Sequence, residues 1–247
     1  MQPTIKIMMA TIIVSLSLVA PGLAGLYEGN VATCKRGDKE MASALIAKLA
    51  KQGAADGQTL LAWMYQYGIG APHDHAKAVA WYRKAAEQGF ALAQNNLGAM
   101  YAEGSGLPHD HVKAVVWYRK AAEQGLASAQ YNLGAMYAEG SGVPHDDAKA
   151  VAWYRNAAEQ GFAPAQYNLG RIYAVGHGVP QDYTMAHIWL NLAADQKNSN
   201  ASEVMGLLAR DMTPDKIAEA QRLAQEWKPA QWMSSLSAFQ NAPSGCR

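Results

Sequence analysis

Apolar and polar residues follow each other along this chain at helical spacing, in short bursts cut off by glycine. From Ala91 the apolar positions are Ala93, Leu97, Met100 and Tyr101, one stripe of a helix with 3.6 residues per turn. Gly104 ends the stripe, and Gly106 and Pro108 carry the chain round a turn. Asp110 stands where a cap is needed, since its carboxylate can accept the orphan N–H groups of a first helical turn. A second stripe follows in Ala114, Val115, Trp117, Tyr118, Ala121 and Ala122, and it ends at Gly125. The pattern predicts two helices joined by a tight turn.

The pattern then recurs. Ala127–Phe162 matches Ala91–Leu126 at 28 of 36 positions, and Ala55–Phe90 and Ala163–Asn198 fit the same frame with more drift. Four copies therefore occupy 55–90, 91–126, 127–162 and 163–198, with Asp74, Asp146 and Asp182 at the cap position of Asp110. A degraded partial copy fills 25–54, where Leu49-Ala50-Lys51-Gln52-Gly53 aligns with Ala85-Ala86-Glu87-Gln88-Gly89. One hairpin cannot hide its own apolar face, so the copies are expected to stack and share an elongated core. Gly98 and Ala121-Ala122 allow close helix approach. Trp81, Trp117, Trp153 and Trp189 recur every 36 residues and predict a buried ladder.

The last copy has drifted, with Met185 in place of Lys, Leu190 in place of Tyr and Lys197 in place of the terminal Gly, which predicts a weaker helix stop there. Residues 199–228 read as capping helices. Thr213 suits an N-cap, Pro214 suits the first helical position, and Glu219 and Gln221 supply the polarity an end unit needs. Residues 229–247 lose the periodicity and read as a loose tail.

The repeated motif, A-x-A-Q-x-N-L-G-x-x-Y-x-x-G-x-G-V-P-x-D-x-x-K-A-x-x-W-Y-x-x-A-A-E-Q-G, resembles the Sel-1-like repeat, a relative of the tetratricopeptide repeat. Tyr131-Asn132-Leu133-Gly134 through Gln160-Gly161 carries it almost in full, and the likeness covers about residues 38–228. The resemblance implies an all-α fold, a right-handed α-solenoid of stacked antiparallel helix pairs whose first helices line a concave groove. Thr59, Gln66, Ala99, Ala102, Ala135, Ala138, Ala174 and Val175 would lie along that groove. The partner-binding candidates among its residues are Trp63, Tyr67, Asn95, Asn96, Glu103, Tyr131, Asn132, Glu139, Tyr167, Asn168 and Arg171. Tyr, Trp and Arg dominate binding hot spots, and an Asn amide both donates and accepts. The competing reading packs Tyr131 and Tyr167 between adjacent first helices and uses the asparagines as local caps.

A protein or peptide partner is thereby implied, in an adaptor, regulatory or toxin-neutralising (immunity-type) role without catalysis. The alternative is a periplasmic hydrolase acting on cell-wall or β-lactam material. Family members discussed for β-lactam hydrolysis are cysteine-rich, and this chain has 2 cysteines, so that activity is not carried over.

Residues 1–24 read as a secretory signal peptide. Lys6 gives the positive start, Ile7 to Ala20 the apolar run, and Gly22 and Ala24 the small residues before cleavage, which is placed after Ala24. The expected location is periplasmic or secreted. The whole chain has 21 basic and 20 acidic residues; without Lys6 the balance is 20 minus 20, or zero. A neutral protein has no general pull on nucleic acid or anionic membrane.

Cys34 and Cys246 bracket the array, and a disulfide between them, a bridge to another chain and two free thiols are equally open. His73, His75, His109, His111 and His145 crowd the turns, but each turn offers at most two imidazoles and an Asp already needed as a cap, so no metal is expected. No G-x-S-x-G, H-E-x-x-H or phosphate-cradling glycine loop is present. Neither catalytic residues nor cofactors are expected.

Overall fold

The computed structural model describes residues 36–227. Eleven helices and no strand occur among them: α1 (Arg36–Lys51), α2 (Ala55–Tyr67), α3 (His75–Glu87), α4 (Ala91–Glu103), α5 (His111–Glu123), α6 (Ala127–Glu139), α7 (Asp147–Glu159), α8 (Ala163–Val175), α9 (Tyr183–Asp195), α10 (Ser199–Leu208) and α11 (Pro214–Glu226). The expected signal peptide, the tail at 229–247 and both cysteines lie outside the described residues.

The chain divides into two compact units, one ending at Pro108 and one beginning at His109. In the first, α1 to α4 pack each on the next. In the second, α5 to α9 pack in the same way, and α10 and α11 both pack on α9. This is the all-α, stacked helix-pair architecture that the periodicity predicts.

Each second helix starts as expected. Asp74, Asp110, Asp146 and Asp182 accept the backbone N–H three residues on, at 2.9 to 3.0 Å. In the first three copies the other carboxylate oxygen takes an ammonium, from Lys77, Lys113 and Lys149 at 2.9, 2.9 and 2.7 Å. Those lysines, through N–H and ammonium together, hold Asp74, Asp110 and Asp146 below the usual carboxylate range.

First helices have no side-chain cap, and a glutamine organises their start instead. Gln58, Gln94, Gln130 and Gln166 donate from Nε2 to the carbonyls of Ala50, Ala86, Ala122 and Ala158, in the last turn of the preceding helix. Gln58, Gln130 and Gln166 also accept, through Oε1, from Gln88, Gln160 and Gln196 at 2.7, 2.7 and 2.8 Å. One buried amide thus ties three helices together.

The turn glycines explain themselves by close approach. Gly142 has φ 71°, and a Cβ there would run into the His111 carbonyl at the start of α5. The equivalent Cβ on Gly106 would lie 2.6 Å from the His75 carbonyl carbon. Only glycine combines that conformation with that contact.

One expectation is corrected. The tryptophans do not form the buried ladder: Trp81, Trp117 and Trp153 are half-buried, and only Trp189 is buried. The buried large side chains sit one residue later, at Tyr82, Tyr118, Tyr154 and Leu190. On α3 the buried positions are Ala78, Val79, Tyr82, Ala85 and Ala86, which puts Trp81 about 100° round the helix, on the flank. There the Lys84 ammonium covers its ring at 4.2 Å, as Lys120 covers Trp117 at 4.4 Å.

The drifted stop at Lys197 takes a definite form. Helix α9 ends at Asp195, in register with Glu87, Glu123 and Glu159. Lys197 takes φ 67°, the only positive φ on a non-glycine among the described residues, where Gly53, Gly89, Gly125 and Gly161 stand in the other copies. The departure therefore appears as backbone strain, with the helix boundary unmoved.

Candidate functional site: the first-helix faces

In the first unit the exposed end of α2 carries Tyr67, 54% exposed, with its ring 5.2 Å from that of Trp63. Trp63 itself is 2% exposed, so it does not stand on an open wall. Helix α2 buries every residue from Gly57 to Met64 because it packs between α1 and α3, which leaves Trp63 a core residue. Asn95 on α4 is also buried, and its Nδ2 donates to Asn96 Oδ1 at 3.3 Å. These two candidates are packing positions.

What remains accessible is a polar group around a sunken phenol. The Tyr82 hydroxyl donates to Gln66 Oε1 at 2.8 Å and also faces the Asn96 amide. Burial, with Tyr67 beside it, pushes that phenol far above its ordinary range. Partial burial, and then the Glu103 carboxylate, raises Tyr67 too. Glu103 is exposed at the end of α4.

The second unit repeats the plan with different side chains. Tyr131 on α6 is half-buried, its ring 5.5 Å from both Tyr154 on the second helix α7 and Phe162 in the turn before α8. Asn132 beside it is half-buried and has partners of its own. The Tyr154 hydroxyl bonds the Asn168 amide, and the phenol is pushed up to about 12 by burial, then by Tyr131, with Glu139 adding to it. Glu139 is exposed and accepts from the Ser141 hydroxyl at 3.4 Å.

On α8 the exposed Arg171 guanidinium lies 5.7 Å from the Tyr167 ring centre. One side of Tyr167 packs on the cluster of Ala186, Leu190 and Met212. Val175 at the end of α8 is 59% exposed. Within this unit, then, a carboxylate, amides, a guanidinium and apolar surface all stand on first helices. They suit non-covalent recognition.

The phenols of Tyr82 and Tyr154 were missed as contributors to these faces, because they sit on second helices and read as core. A sequence signal existed. Tyr82, Tyr118 and Tyr154 each precede an asparagine by 14 residues, Asn96, Asn132 and Asn168; where the fourth copy has Leu190, position 204 is Val204. A second coupling is visible at a spacing of 18, where Arg83, Arg119 and Arg155 donate to the hydroxyls of Tyr101, Tyr137 and Tyr173 at 3.1, 2.9 and 2.7 Å.

The turn histidines pair edge to face, His73 with His75 at 4.4 Å and His109 with His111 at 4.1 Å. Among the described residues no group of three or more His, Cys, Asp or Glu is arranged to hold a metal ion, and no helix is long and apolar enough to cross a membrane.

Stacked helix hairpins with glutamine-tied starts and variable first-helix faces define a helical repeat scaffold. The Sel1 repeat model matches residues 55–90, 91–126, 127–162 and 163–198, and the chain belongs to the Sel1 repeat family. Among solved structures, c5321, a protective antigen of uropathogenic Escherichia coli strains with an SLR fold, is similar at 37% identity and a TM-score of 0.72. That match covers 82% of this chain and 44% of c5321, so the chain spans less than half the length of that relative. A Sel1 repeat protein of Oxalobacter formigenes is similar at 36% identity and a TM-score of 0.66, over 75% of this chain and 76% of its own. The immunity protein PA5088 of Pseudomonas aeruginosa matches at 24% identity and a TM-score of 0.52, over 88% and 86% of the two chains, a likeness of fold alone. Among curated proteins no sequence matches significantly.

Proposed function

We propose that the chain is an exported scaffold that binds a protein or peptide partner on its first-helix faces, without catalysis, as an adaptor, regulator or inhibitor. One observation carries the reading: the positions that tie hairpins together are held fixed, while the accessible first-helix positions diverge. The tie positions read Gln58, Gln94, Gln130 and Gln166 in the four copies, all buried. The face positions read Ala99, Ala135 and Arg171 at one place, where the first copy has the buried Trp63, and Tyr67, Glu103, Glu139 and Val175 at another. A plain spacer needs no such divergence. A surface that distinguishes one partner does, and Tyr and Arg are the residue types that supply most binding energy. Export rests on the charged, apolar and small-residue succession of residues 1–24.

The test uses the chain from residue 25 onward, cross-linked in envelope extract. Two double variants, Tyr67→Ala with Glu103→Ala and Tyr167→Ala with Arg171→Ala, are compared with a second-helix control, Val116→Ala. Truncating a hot-spot residue costs about 2 kcal/mol or more, so recovery of a specific partner is expected to fall at least about thirtyfold in one of the doubles and to be unchanged in the control. Equal recovery by all proteins, each still folded, refutes the reading.

A further inference from the structure

A titratable side chain sits where the other copies carry valine. His187 on α9 occupies the 36-residue position of Val79, Val115 and Val151, and all four are buried. His187 is 2% exposed, and its Nδ1 is sealed from solvent with no hydrogen-bond partner. Val151 indicates which way this position looks: it belongs to the cluster that joins α7 to α8, α9 and α11, the elements that follow it. The correspondence with Val151 puts the His187 position on the side of α9 that meets the helices following it, α10 and α11. Its neighbours on α9 hold those two helices. Ala186 and Leu190 cluster with Ala201 and Leu208 of α10, and Ile188 and Trp189 with Ala220 and Ala224 of α11.

A buried place without a hydrogen-bond partner for Nδ1 suits neutral imidazole poorly and imidazolium far worse, because the cation needs two acceptors or water. The elements packed on α9 offer no compensation. Arg171 of α8, Glu203 of α10, and Asp215, Lys216, Glu219, Arg222 and Glu226 of α11 are exposed, as are Arg210 and Asp211 in the turn between the last two helices. Tyr167 and Tyr173 of α8 are half-buried. On α9 itself Asp182 and Asp195 are exposed and Tyr183 is half-buried. Burial lowers the pKa of His187, opposed only by its own backbone.

We propose that His187 makes the docking of α10 and α11 on α9 proton-sensitive: acidification charges the imidazole, and the two cap helices come away from α9. In the docked state His187 is neutral. In the opened state it titrates near the ordinary histidine value of about 6.5. The opened state therefore binds more protons below about pH 6.5, and cap docking is lost progressively as pH falls from there toward the lower docked-state pKa. Each unit of pH in that window raises the opening constant by up to about tenfold.

The experiment is hydrogen exchange on the whole chain near pH 7.5 and 5.5, expressed as protection factors, for the native protein, His187→Val and His187→Gln. The valine variant restores the residue of the other copies; the glutamine variant keeps polarity without charge. The expected result is an opening constant for α10 and α11 that rises about tenfold in the native protein and changes by less than about twofold in both variants, while α6 is unaffected in all three. An equal rise in the variants overturns the proposal. So does a His187 imidazole that titrates in the native protein near 6.5, by NMR, with no loss of cap protection.

Discussion

Replacing Gln166 by glutamate tests the glutamine tie with almost no change of shape. Gln166 is fully buried; its Nε2 donates to Ala158 O at 3.1 Å and its Oε1 accepts from Gln196 Nε2 at 2.8 Å. A glutamate keeps the oxygen that Gln196 needs but turns the donor facing Ala158 into a second acceptor. Ionised, two oxygens would face each other at hydrogen-bond distance inside the protein. Protonated, the carboxyl can donate to Ala158 and restore the bond.

The folded state therefore holds the proton, and burial of this degree raises a carboxyl pKa by about 3 units above its reference of about 4.3. Because the folded pKa is the higher one, the variant suffers no ionisation penalty below about pH 4.3 and loses stability as pH rises toward and through the folded value. At pH 7 the loss is about 3 kcal/mol, or about 6–12 °C in Tm for a chain of this size. Gln166→Leu is the companion: it removes both bonds, yet Ala158 O keeps its bond from the Gly161 N–H at 2.9 Å and Gln196 keeps Gly161 O at 3.0 Å, so its cost is about 1 kcal/mol and independent of pH. Urea unfolding near pH 4.5 and 7.5 measures both. A glutamate deficit that is the same at the two pH values would refute the geometry on which the tie is built.

Two further outcomes follow from single positions. Lys197→Gly removes a side chain from a left-handed residue, a strain of about 1–2 kcal/mol, and is offset in part by the freer unfolded chain; a net gain of about 0.5–1 kcal/mol is expected by chemical denaturation, whereas a loss would show that the lysine stem contributes more than its backbone costs. Tyr154, pushed up to about 12 in the folded state, ionises later than a free tyrosine near 10, so its contribution is intact below about pH 10 and is lost as pH rises through 12; ultraviolet titration should find a late phenol near 12, ahead of the still later Tyr82, that disappears in Tyr154→Phe, and equal late absorbance in the native protein and the variant would count against its burial.

Boundaries were the legible part of this fold. Aspartate starts and glycine stops are local devices, each working through a hydrogen bond or a backbone angle within one turn, so a linear reading finds them at every copy. Facing was less legible. Trp81 and Tyr82 are adjacent, both amphipathic, and only 100° apart; a stripe of small alanines is too broad to say which of the two turns inward, and the lysine that covers the tryptophan is itself four-fifths hydrocarbon stem to a neighbouring ring. Trp63 belongs with them: the frame gives it the position of the exposed Arg171, and nothing in the 36-residue pattern marks the first copy's residue there as buried.

The glutamine tie was invisible for the opposite reason. Its partners are backbone carbonyls, which carry no side-chain signature, and Ala50, Ala86, Ala122 and Ala158 look like any helical alanine. Its physical consequence reaches the function. An apolar contact between neighbouring hairpins would tolerate sliding, because burial has no direction, while an amide that must meet a carbonyl at one end and a second amide at the other fixes the register of three helices. Fixed register is what permits divergence elsewhere. With Gln130 and Gln166 holding their hairpins in the second unit, position 135 can be alanine and position 171 arginine without disturbing the stack, and each change alters only what an approaching partner meets.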